Sequence, residues 1–232
     1  MRNENFELAD RVHLQVIDFI KNEIETGNIK PGERLPSERQ LVEKLGISRT
    51  SVKEAFAALS LSGIIEIKQK SGATLLKDEK KDIVLKLTSI INRSSLDIIE
   101  IMELRQTIEC EACFLASTRR TESDVIELKK KFDELSNAIN KGDLAAKEDV
   151  NFHLAVAYAT NNSLFVDVMR LLSLRMFDTI SSTRKQTLRK PGKSEEVLKE
   201  HKNVYLAIKN KQPQVARNLM QEHLNNVKKR YL

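Results

Sequence analysis

The chain is poor in the residues that break helices, with 7 Gly and 4 Pro among 232 positions, and its composition leans towards α-helix. Cysteine is scarcer still. Cys110 and Cys113 stand together in "CEAC". A zinc ribbon needs a second pair, and a thioredoxin-like pair follows a strand, whereas this one lies inside the helical run "LRQTIECEACFLAS". Both chemistries are excluded, and ordinary helix packing is expected. No run of about 18 apolar residues occurs, so no membrane span is expected. The start "MRNENFELADRVHLQV" lacks the apolar core of a signal peptide. The expected location is the cytoplasm. Histidine is also rare, four in all, and three of them fall in the C-terminal half.

What is present is apolar and charged in globular proportion, 41% hydrophobic and 31% charged. A net charge of +6 and a pI near 9.2 permit a nucleic-acid partner. The excess is local. Residues 29–77 carry nine Lys and Arg against five Glu, and residues 184–232 carry thirteen against four. The second cluster reads as solvated helix faces.

Residues 8–26 place apolar side chains at 12, 16, 17, 20 and 24, the spacing of a helix closed by Gly27. "NIKPGERLP" is a turn-rich connector. Ser37 with Gln40 predicts a capping box for a short second helix that stops at Gly46. Ser48 caps a third helix, "RTSVKEAFAALSLS", which ends at Gly63. "IIEIK" and "ATLL" read as short strands around "QKSG". Three helices and a hairpin make a winged helix-turn-helix, with only Gly46, Ile47 and Ser48 in its tight turn. In that motif the first residues of the second helix of the pair face base edges in the major groove. Here they are Arg49, Thr50 and Lys53. They can bond guanine bidentately, touch a thymine methyl, and reach guanine or phosphate. Double-stranded operator DNA is the expected partner.

The run "IKPGERLPSERQLVEKLGISRTSVKEAFAALSLSGII", residues 29–65, closely resembles the N-terminal domain of the GntR family of bacterial transcription regulators. The resemblance implies DNA contacts from Arg39, Ser48, Arg49, Thr50 and Lys53, with the wing touching DNA near Lys70 and Gly72. Lys53 stands where the family usually has Arg, and "KSGA" where a "GxG" is usual. The DNA-binding domain is expected to span residues 1–77.

Beyond the charged linker "LLKDEKKD" the pattern is helical throughout. Segments 82–92, 96–118, 122–140, 143–160, 162–187, 194–210 and 213–230 each fit a helix. The expected fold is mainly α: the winged helix-turn-helix, then an antiparallel bundle of six or seven helices over residues 78–232. In "DVNFH", Asp149 and His153 share one helix face with Phe152, Val156 and Thr160. His201 falls on a stripe with Leu198, Tyr205 and Ile208, and His223 on one with Val215, Leu219 and Val227. Separately, three inward imidazoles and a carboxylate each carry a desolvation cost; converged on one cation they satisfy one another. One divalent metal per chain is expected on Asp149, His153, His201 and His223, zinc first, with nickel, manganese or iron as alternatives.

The same four residues match the metal pattern of the FCD domain, the helical C-terminal domain of the FadR-type branch of GntR regulators. That resemblance implies an effector pocket in which Arg105, from "IMELRQTIECEACFLAS", takes part. The alternative for Arg105 is a helix-surface ion pair with Glu103 or Glu109. The function expected is a homodimeric repressor released from its operator when a small carboxylate chelates the metal and meets Arg105. Two other readings stay open: a helical metalloenzyme, for which the sequence nominates no inward Glu as general base, and a regulator whose metal is purely structural.

Overall fold

Capping chemistry places the helices of the N-terminal unit. The structure, a computed structural model, describes residues 12–68, 72–76, 98–187 and 192–231. The chain forms two units, Met1–Lys86 and Leu87–Leu232. The boundary expected at 77/78, linker residues 77–82, the helix at 82–92 and Lys70 all lie outside the described residues. In the first unit, α1 is Val12–Glu25, α2 Glu38–Leu45 and α3 Arg49–Leu61. The Ser37 hydroxyl accepts from the Gln40 amide while the Gln40 side chain accepts from the Ser37 amide. Such a box stabilises a helix start by about 1 kcal/mol. Gly46 closes α2 at φ 67°, a left-handed conformation that costs an L side chain roughly 1–2 kcal/mol. Ser48 then caps α3 by accepting from the Ser51 amide. Strands β1 (Ile65–Lys68) and β2 (Gly72–Leu75) pair antiparallel, with Ile65 opposite Leu75 and Lys68 opposite Gly72. Val16, Ile20, Leu41, Val52, Ala55, Ala58 and Leu75 form the fully buried centre beneath α3 and the wing.

The second unit is helical in every described element: α4 Ile98–Arg119, α5 Glu122–Asn140, α6 Ala146–Tyr158, α7 Ser163–Thr187, α8 Lys193–Lys209 and α9 Pro213–Tyr231. α4 packs along α9, α6 between α5 and α7, and α8 against α9 and α5. Phe152, Cys113, Ala116, Ile208 and Ala216 are wholly buried in the shared core. Cys110 and Cys113 are free and buried in α4, as the helical context predicted. Burial pushes the Cys110 thiol up to about 11 and raises Cys113 too, so both stay unreactive thiols. One stripe needs correction: Val215 is 47% exposed, and Ala216 takes the inward place. Four-residue steps drift about 40° each around a helix, so eight residues before His223 the stripe has turned towards water, while seven residues before it has barely moved. No described helix is long and apolar enough to cross a membrane.

Candidate functional site

The reading head presents an open cationic face. Arg39, Ser48, Arg49, Thr50, Lys53 and Gly72 are all exposed. Arg39, Arg49 and Gly72 line one groove of about 690 Å³ together with Arg34, which the helical pattern does not single out. Arg34 lies in the connector, and its backbone bridge to Thr74 sets it beside the wing. Arg39 Nε rests 2.8 Å from Glu43 Oε1. That pair is exposed and weak.

In the helical unit the three imidazoles expected from their stripes do meet. His153 on α6, His201 on α8 and His223 on α9 are each at most 3% exposed. One ring nitrogen from each lies within 4.8 Å of the others. Ring centroids are 5.4 Å apart for His153 and His201, and 4.5 Å for His201 and His223. Asp149 Oδ1 stands 3.3 Å from His153 Nε2 and 3.4 Å from His201 Nε2. The α6 helix start favours that carboxylate, since Glu148 and Asp149 occupy its positive first turn. Phe152 walls the cluster, its ring edge-on to His201 with the two centroids 5.0 Å apart.

The opposite ring nitrogens are each met by an oxygen. His201 Nδ1 lies 2.9 Å from the Val197 carbonyl. His223 Nδ1 lies 2.8 Å from Glu200 Oε2. His153 Nδ1 abuts Glu109 Oε2. In the neutral form, with its proton at Nδ1, each ring has its lone pair on Nε2. His153 Nε2 and His201 Nε2 are buried and have no well-formed hydrogen bond, and His153 Nδ1 and Glu109 Oε2 abut without forming one. Metal–nitrogen and metal–oxygen bonds of about 2.1 Å put neighbouring ligands roughly 3 to 3.5 Å apart, so the three ring nitrogens, within 4.8 Å of one another, can close on one divalent ion by side-chain rotation, with Asp149 Oδ1 beside two of the rings.

Two acidic residues revise the sequence reading, which nominated no inward Glu. Glu109 is 2% exposed, with Oε1 accepting from Arg105 Nε at 2.6 Å; Arg105 is itself 1% exposed. The pair with Glu109 is therefore deep in the bundle rather than at a helix surface. Arg105 Nη1 faces the Met102 sulfur at 3.7 Å. Burial alone would raise the Glu109 carboxyl, yet Arg105 and His153 beside it hold it at about 2. Glu200 behaves alike: burial opposes ionisation, but His223 and Arg230 keep it near 2. Burial would lower His153, but the Glu109 carboxylate and then Asp149 lift it to about 9. Burial and the charge of His201 push His223 down to about 4. Without a cation the cluster thus holds a proton on His153 and a bare lone pair on His223.

Residues 13–75 match the family model "Bacterial regulatory proteins, gntR family", and residues 100–226 match "FCD domain". The chain is 32% identical over 205 residues to the HTH-type transcriptional regulator LutR of Bacillus subtilis (strain 168), spanning 88% of this chain and 94% of that protein. It is 27% identical over 219 residues to the Glc operon transcriptional activator of Escherichia coli (strain K12), spanning 92% and 86% respectively. Among solved structures, E. coli McbR/YncC superposes with a TM-score of 0.52 at 25% identity, covering 94% of this chain and 96% of that one. These matches run through both the reading head and the histidine-bearing bundle, and the chain belongs to the GntR family of bacterial transcription regulators, in its FadR-type branch that carries an FCD domain.

Proposed function

We propose that this regulator holds one divalent metal, zinc first, on Asp149, His153, His201 and His223, and that a small carboxylate bound there releases it from operator DNA. The observation that carries the reading is the pair of buried, unbonded Nε2 atoms of His153 and His201 beside Asp149, with the His201 ring anchored at Nδ1 on the Val197 carbonyl. A divalent ion supplies positive charge and coordination positions for carboxylate oxygens. With neutral imidazoles, the carboxylates of Asp149, Glu109 and Glu200 against the guanidiniums of Arg105 and Arg230 leave these groups one negative charge. A divalent ion reverses that to one positive charge, which a single carboxylate balances. Arg105 serves as the second contact: its Nε is engaged by Glu109, while Nη1 faces the Met102 thioether, a weak acceptor.

The DNA-reading domain of this proposal is residues 1–77, using Arg39, Ser48, Arg49, Thr50, Lys53, Lys70 and Gly72. Residues 78–232 bind metal and effector and pair two chains into a homodimer, so that two recognition helices meet a near-palindromic site. The Glc relative is named an activator; release by effector makes this chain a repressor. Fluorescence anisotropy on a DNA fragment selected by the protein tests the proposal. Zinc-loaded protein should lose roughly 5- to 150-fold in DNA affinity with the right small carboxylate, and zinc-free protein should not respond. Equal behaviour of the two forms would reduce the metal to a structural role.

A further inference from the structure

We infer that Glu109 and Glu200 are positioning residues of the metal centre, each holding the Nδ1 proton of one histidine so that its Nε2 is presented to the ion. The inference rests on the metal reading above. A neutral imidazole carries one N–H and one lone pair, and an acceptor at one nitrogen settles which is which. Glu109 reaches from α4 to His153 on α6, and Glu200 from α8 to His223 on α9. Both carboxylates divide their oxygens in the same way. Glu109 sets Oε2 against His153 Nδ1, in contact but short of a well-formed hydrogen bond, and Oε1 accepts from Arg105 Nε at 2.6 Å. Glu200 gives Oε2 to the imidazole, and Oε1 accepts from Asn226 Nδ2 at 2.9 Å and Arg230 Nη2 at 2.5 Å.

A buried ion pair seldom improves on an apolar pair of the same volume. Stability alone therefore gives little reason for two such arrangements around one cluster. Aiming two ligands does give one, because an anionic acceptor also makes the ring a stronger donor to the metal. His201 shows the contrast: its Nδ1 rests on the neutral Val197 carbonyl, and its aim follows from the helix itself.

Zinc affinity of the full chain, measured by competition with a chromophoric chelator, decides the matter. Glu200 is the safer site, since it is 15% exposed and its partner Arg230 is 16% exposed. Glu200→Gln should bind one zinc roughly 10- to 100-fold more weakly than the parent, while its metal-free form melts close to the parent's midpoint. Glu109→Gln strands the Arg105 charge, so that arm is tested as the double variant Arg105→Met with Glu109→Gln, with the same loss expected. Cobalt(II) in place of zinc should show a changed visible spectrum in both. A parent without stoichiometric zinc would overturn the metal reading itself. A parent that binds zinc while Glu200→Gln stays within about threefold of it overturns the positioning role. A drop in metal-free stability with zinc affinity unchanged also overturns it, since that marks ordinary ion pairs. If the double variant fails to fold, the zinc affinity of Glu200→Gln alone upholds or overturns the positioning role.

Discussion

Loading the metal-free protein with zinc at about pH 7.5 should release close to one proton, because an imidazole must be neutral to ligate. His153 is lifted to about 9 by the Glu109 and Asp149 carboxylates, which outweigh its burial. His223 is held at about 4 and has no proton to lose there. His153 is then more than roughly nine-tenths protonated at about pH 7.5, and displacing that proton weakens apparent zinc affinity about thirtyfold, on the order of 2 kcal/mol. Apparent affinity should rise about tenfold per pH unit and level off only near 9, not near the ordinary imidazole value of about 6.5. The stability of the metal-free chain runs the other way. A raised histidine pKa stabilises fully below about 6.5, and that contribution fades as pH climbs through 9. Titration calorimetry in buffers of different protonation enthalpy counts the protons. Zinc binding that releases none, with affinity flat from about pH 6.5 to 9, would refute the charge assignment of the cluster.

Other perturbations follow from the same geometry. Arg49→Ala should lose roughly 1–3 kcal/mol of specific DNA affinity, read by footprinting, on the proposed base contact from the start of α3. Lys53→Ala should instead flatten the salt dependence of DNA binding by about one unit of slope. Ser37→Ala removes one half of the α2 capping box and should lower denaturant stability by about 1 kcal/mol. Phe152→Ala empties a wholly buried site against His201; a loss of about 3–5 kcal/mol is expected in chemical unfolding.

Local signals were legible in the sequence because local chemistry produces them. Ser37 with Gln40, Gly46 and Ser48 mark the ends of α2 and the start of α3 through hydrogen bonds spanning a few residues. The i, i+4 spacing of Asp149 and His153 carries directly into their placement on α6. The glutamates were not legible for the opposite reason. Glu200 serves His223, 23 positions away on another helix, and no period links them. Glu109 and Arg105 are spaced like any exposed helix pair, and only the packing of α4 against neighbours on several sides buries them. Val215 misled because a stripe drawn in steps of four ignores helical drift. Arg34 sits in a connector, where neither helix nor strand spacing speaks.

The most direct test of the metal-held regulator is zinc X-ray absorption on the full chain loaded with one equivalent. The cluster predicts nitrogen and oxygen neighbours at about 2.0–2.1 Å, with the outer-shell scattering of three imidazoles and no sulfur. A sulfur neighbour near 2.3 Å would move the ion to the cysteines, and failure to hold one equivalent of zinc would remove it from the account altogether.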